Sequence, residues 1–193
     1  MFHNKVNKVM GILICVLAIS LGVFSSLYYQ ELKEDERKRE LFINHLYFSI
    51  DSSLYNIDNI MEAKDGNERE SYIRILEKTL LEADAILRYG NMFINKDLYR
   101  SDFFRHASNF LYGVNLTGTV NAQVPPIGEN NQLTESDLKL LYTIKGYLEN
   151  AREEMYSEQT KQENPNLTIV ELNEIILIHL NNYHHEIYKD AFR

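Results

Sequence analysis

Three histidines and a carboxylate crowd the C-terminal end of the sequence, His179, His184, His185 and Glu186, and these are side-chain types that zinc takes as ligands. Two ligands on one helix face must stand three or four residues apart, as in an HExxH segment. Here the histidines are five, six and one apart, so a single helix turns them to different sides and the cluster reads as helix surface. Asp102 and His106 do have the i,i+4 spacing of a carboxylate–imidazole pair. Ser101 and Ser108 are the nearest nucleophiles in sequence, but neither sits in the strand–turn–helix elbow that exposes a catalytic serine. The pair is therefore expected to be a local helix contact. Asp51, Asp58 and Glu62 line one helix face opposite an apolar stripe, the usual arrangement of a solvated surface. The single cysteine, Cys15, lies in an apolar run, which leaves the remainder with no disulfide and no thiol nucleophile. Ile14 before it is too bulky for lipoprotein processing. No catalytic, cofactor or metal constellation emerges, and the chain is expected not to be an enzyme.

Charge narrows the partners. All 28 acidic residues but only 18 of the 20 basic ones lie beyond Tyr29, so that region is acidic and no nucleic-acid partner is expected. Its densest basic cluster, Lys33 with Arg37, Lys38 and Arg39, is interleaved with Glu31, Glu34, Asp35, Glu36 and Glu40. Such a mixed run is a solvated helix surface.

One element is specified by length and polarity alone. Residues 9–29, VMGILICVLAISLGVFSSLYY, carry no charge, and at about 1.5 Å per residue they reach roughly 30 Å, a bilayer's hydrocarbon thickness. Tyr28 and Tyr29 fall where interfacial aromatics sit. Residues 1–8 form a short basic tail with Lys5 and Lys8. A cleaved signal peptide competes, because Ala18-Ile19-Ser20 fits small-x-small, but the run continues through Leu21, Val23, Phe24 and Leu27. A retained anchor suits that length better. Counted strictly, Lys5, Lys8 and the terminal amine before the span against Lys33, Arg37, Lys38 and Arg39 after it slightly favour a cytoplasmic domain. The carboxylates mixed with the downstream ones, and the insensitivity of long domains to charge, favour a domain outside the cytoplasm.

Residues 30–193 then read as one helical domain, with only three prolines in the whole chain to interrupt it. Ile43, Ile50 and Ile57 recur at sevens, with Leu46 and Ile60 between them and Ser53 interrupting that second row. Nothing breaks the chain at Tyr29, so span and helix are expected to be continuous. Asp65-Gly66-Asn67 reads as a turn with Gly66 in the left-handed helix-ending role. A second helix, 68–94, has rows Ile73, Leu80, Leu87, Ile94 and Leu76, Ala83, Gly90, the small members admitting a close neighbour. A third is expected over 97–112. Thr134 opens a fourth through Met155, and Thr168 with Glu171 caps a fifth carrying Leu172, Ile176, Leu180, Tyr183 and Ile187. Tyr47, Tyr72, Tyr147 and Tyr183 are expected at the rim of the core.

The fold class is thus all-α: one N-terminal transmembrane helix followed by an antiparallel bundle of four or five helices. Between the third and fourth helices, residues 115–133 lack periodicity and contain Pro125-Pro126. This is either a connector or a binding loop that offers Val120, Val124, Pro125, Pro126 and Ile127 to a partner. The function expected is a single-pass, non-enzymatic binding module that takes a protein, or a small ligand, outside the cytoplasm. The alternative is a membrane-tethered assembly factor acting by helix pairing, a homo-oligomer that can face the cytoplasm. The lipid bilayer is the one partner named by the residues themselves.

Overall fold

The computed structural model describes residues 2–193, with side chains from Met10 onward except Ile12. Lys5 and Lys8 of the basic tail, and Val9 at the start of the expected span, have side chains outside the described residues. The chain divides into two compact units, Met1–Glu40 and Leu41–Arg193. Helix α1, Phe2–Glu62, contributes to both without a break at Tyr29.

In the first unit the described apolar side chains have no cover. Ile14, Ile19, Leu21 and Phe24 are each more than 60% exposed, which in water would be a large penalty for a run of this size. Among the described residues this is the one helix long and apolar enough to cross a membrane. Past it, Lys33 lies 4.8 Å from the centre of the Tyr29 ring, and Lys38 pairs with Glu34 and Asp35.

The second unit is built on one hydrophobic core. From α1 come Ile43, Leu46, Ile50, Ile57 and Ile60, all fully buried. Ser53, which interrupts the apolar row, is also fully buried; its hydroxyl lies 2.8 Å from the Ser49 carbonyl and 2.9 Å from Thr79 Oγ1. A polar side chain is tolerated there because hydrogen bonds satisfy it. Helix α2, Gly66–Phe93, buries Ile73, Leu80 and Leu87 of one expected row and Leu76, Ala83 and Gly90 of the other, while Ile94, expected to end the first row, is the C-cap and only half-buried. At Gly90 an added Cβ would stand 2.3 Å from Phe42 Cε2 and 2.7 Å from Leu98 Cδ2, so the small residue does admit a close neighbour. Gly66 does not end α1. It is the first residue of α2, whose N-cap is Asp65 accepting from the Glu68 N–H, while the positive-φ glycines are Gly113, Gly118 and Gly128.

Helix α3 is shorter than the apolar pattern predicts, Phe103–Leu111. Side chains hold the stretch before it in irregular form. Asn91 donates to the carbonyls of Lys96 and Leu98, and Asn173 donates to that of Asp97 while accepting from the Tyr99 N–H. Helix α4 is Glu135–Met155, opened by a Thr134–Asp137 capping box. The expected fifth helix is two, α5 Ile169–His179 and α6 His184–Phe192. The break follows from one long-range and one local bond: the Ser101 hydroxyl donates to the Leu180 carbonyl, and Glu186 accepts the Tyr183 N–H at 2.7 Å to start a new helix.

Two short hairpins add β structure to the mostly helical chain. Strands β1, Val114–Leu116, and β2, Ala122–Val124, pair antiparallel with Val114 opposite Val124; β3, Tyr156–Ser157, and β4, Gln162–Glu163, pair likewise. The acidic row on α1 is not simply solvated. Asp51 meets Arg152 at 2.8 Å and Asp58 meets Lys145 at 2.6 Å, tying α1 to α4.

Candidate functional site

The segment 115–133 is pinned to the core by its apolar residues. Val120, Val124 and Ile127 are 4–8% exposed, so three of the side chains expected to meet a partner are buried, Val124 and Ile127 of them in the hydrophobic core. Pro125 is exposed and Pro126 half-buried. Gly113 turns the chain into β1 at φ 88°, where a Cβ would come within 2.9 Å of the Val124 carbonyl oxygen. The Ile127 N–H donates to the Leu111 carbonyl at 3.1 Å. At the far end, buried Arg69 donates through both terminal nitrogens at 2.8 Å, one to the carbonyl of Ala63 and the other to that of Asn131. On the hairpin the exposed side chains are neutral and polar, Asn115, Thr117, Thr119, Asn121 and Gln123, and the segment's one charged residue, Glu129, is exposed beyond it.

Beside this hairpin lies an open cleft of about 340 Å³, walled by Val114, Leu116 and Val120 on one side and by Tyr183, His184 and His185 on the other. The imidazoles are brought together from two helices. His184 Nε2, at the start of α6, is 3.2 Å from His106 Nδ1 and 3.2 Å from Asn109 Nδ2, both on α3. His106 does not pair with Asp102, which bonds to Arg105 instead. Behind His106, Asp84 of α2 is buried and bonds Arg88 at 2.8 Å through Oδ2. Asp84 Oδ1 and His106 Nε2 are both buried without a hydrogen-bond partner.

These surroundings set the protonation of the pair. Burial pushes His184 down to about 4, with His106, Arg105 and His185 adding to the shift. Burial also lowers His106, against an opposing pull from Asp102 and Asp84. Both imidazoles are therefore neutral at neutral pH.

The other candidates are dispersed. His179 meets Glu154 at 2.7 Å, His185 stacks on Tyr183, and Glu186 caps α6. Among the described residues no three His, Cys, Asp or Glu side chains converge as a metal site. Ser101 is spent on the Leu180 carbonyl and the Phe103 N–H, and Ser108 is buried. Tyr47 is in the core, Tyr72 and Tyr147 at its rim, and Tyr183 is 47% exposed on the cleft wall.

Sequence reasoning missed two features. One is the His106–His184 contact, made across 78 residues and thus invisible to local spacing. The other is a set of exposed apolar side chains: Tyr89, Met92 and Phe93 at the end of α2, and Val170, Leu177 and Ile178 on α5. Their signal was present, since Tyr89, Met92 and Phe93 fall outside both heptad rows of α2. No protein-family model, curated protein or solved structure matches this chain.

Proposed function

We propose that this chain is a single-pass, membrane-tethered binding module. In this reading its second unit, an antiparallel helical bundle outside the cytoplasm, recognises a protein partner through the segment 115–133. The observation that supports it best is the pinning of that segment by Val120, Val124, Ile127 and the Arg69 clamp. A backbone already held in one conformation loses little entropy on docking. Its neutral polar edge and exposed Pro125 suit hydrogen-bonded recognition of a protein surface. The uncovered apolar run in α1 supports the anchor.

The exposed apolar sets on α2 and α5 favour a second reading, an assembly factor that pairs with copies of itself. Crosslinking in native membranes, followed by identification of the crosslinked proteins, separates the two. Substituting Thr117→Lys, Thr119→Lys and Gln123→Lys leaves the buried anchors intact and should abolish the partner crosslinks. Full retention of those crosslinks contradicts the binding reading. Loss of self-crosslinks in a Tyr89→Ser, Met92→Ser, Phe93→Ser variant would establish the assembly reading.

A further inference from the structure

We propose that His106 and His184 form a proton-operated latch, which holds the Tyr183–His185 strap against α3 at neutral pH and releases that wall of the cleft on acidification. The inference stands whatever the cleft binds.

The geometry fixes who donates. Asn109 presents its amide nitrogen to His184 Nε2 at 3.2 Å, and an amide nitrogen only donates. His184 Nε2 is then the acceptor, and its lone pair takes the Asn109 N–H. His106 Nδ1 is also 3.2 Å away, but with the rings inclined at 61° the His106 ring packs against that of His184 rather than in line with its lone pair. The ring centres are 3.9 Å apart, and Phe110 closes the other side with its ring 5.5 Å from that of His184.

The two imidazoles respond differently to a proton. A proton on His106 leaves the Asn109–His184 bond in place, and the imidazolium gains the field of Asp84 and Asp102. The latch survives that step. A proton on His184 goes to the acceptor itself, so that its Nε2–H faces the Asn109 amide N–H with no lone pair between them. Two cations would also stand at ring-contact distance, with Arg105 and His185 opposing the charge and no carboxylate among the groups acting on His184. Of the charged groups around the pair, Asp102 on α3 bonds Arg105, and Asp84 on α2, which bonds Arg88 through Oδ2 and leaves Oδ1 unpartnered, acts on His106 and not on His184. The strap relieves the conflict by swinging His184 into water.

The sign follows from the depressed basicity of both rings. Their neutral forms are favoured in the folded chain, so the latch is fully formed above the ordinary histidine value of about 6.5 and is lost as pH falls toward about 4.

The test is hydrogen exchange by mass spectrometry on the full chain in lipid nanodiscs, read at amides 183–190 and corrected for the intrinsic pH dependence of exchange. Between about pH 7.5 and about pH 4.5 the wild type should lose roughly tenfold or more of its protection there. Protection in α4 should be retained. His184→Gln keeps an acceptor near the Nε2 position and cannot titrate, so its protection should not change with pH. Arg105→Gln removes an opposing cation and frees Asp102, and should move the wild-type midpoint upward by about half a pH unit. Unchanged protection in the acidified wild type overturns the latch, as does an equal loss in His184→Gln. If His184→Gln is already unprotected at neutral pH, an unmoved midpoint in Arg105→Gln overturns it.

Discussion

Two glycines in the helices of the second unit have opposite consequences for substitution. Gly146 on α4 has open space where a Cβ would go, so Gly146→Ala should stabilise by about 0.5–1 kcal/mol through the backbone alone. Gly90→Ala gains the same propensity but drives a methyl into the Phe42 and Leu98 side chains. The clash wins, and a net loss of about 1–2 kcal/mol is expected. Thermal melts of the two variants should move in opposite directions. Arg69 is a sharper case, because its guanidinium serves two carbonyls, Ala63 and Asn131, while 92% buried. Arg69→Met should cost about 2–3 kcal/mol in denaturant unfolding and loosen residues 127–131 in hydrogen exchange. The need for a small residue at position 90 was legible in the sequence from its place in the Leu76–Ala83–Gly90 row. The role of Arg69 was not, since nothing local distinguishes it from its solvated neighbours Arg74 and Glu70.

At the scale of elements, periodicity carried most of the reading. Apart from Ile94 at its end, the rows of α1 and α2 are buried as their sevenfold spacing requires, and the Thr134 and Thr168 caps open α4 and α5 where the sequence places them. Thr134→Ala should cost about 1 kcal/mol, because its hydroxyl accepts the Asp137 N–H at 3.1 Å; the readout is the unfolding midpoint. Misreadings cluster where long-range side-chain bonds replace helix bonds. The apolar stripe through Leu172, Ile176, Leu180 and Ile187 is continuous, yet Ser101 captures the Leu180 carbonyl and splits the helix. Residues 97–102 contain no helix breaker but are held in irregular form by Asn91 and Asn173. Strands of two or three residues are too short to show alternation. The candidate site inherits this limit: its loop was found as the longest aperiodic stretch, whereas inward-facing Val120, Val124 and Ile127 and the pairing of His106 with His184 depend on contacts between distant segments.

For the whole molecule the account rests on the polarity difference between its two units. The first exposes its apolar side chains and the second buries a core of them, which is the division expected of a chain sharing lipid and water. If the second unit faces away from the cytoplasm, an external protease should digest it in intact cells or spheroplasts; protection there, with digestion after lysis, would reverse the orientation. The tether itself is tested most directly by alkaline carbonate extraction of native membranes with N-terminal sequencing of the extracted chain. The account predicts that the chain stays in the membrane pellet with residues upstream of Leu21 intact. Release into the supernatant, or a mature N-terminus at Leu21, would contradict it.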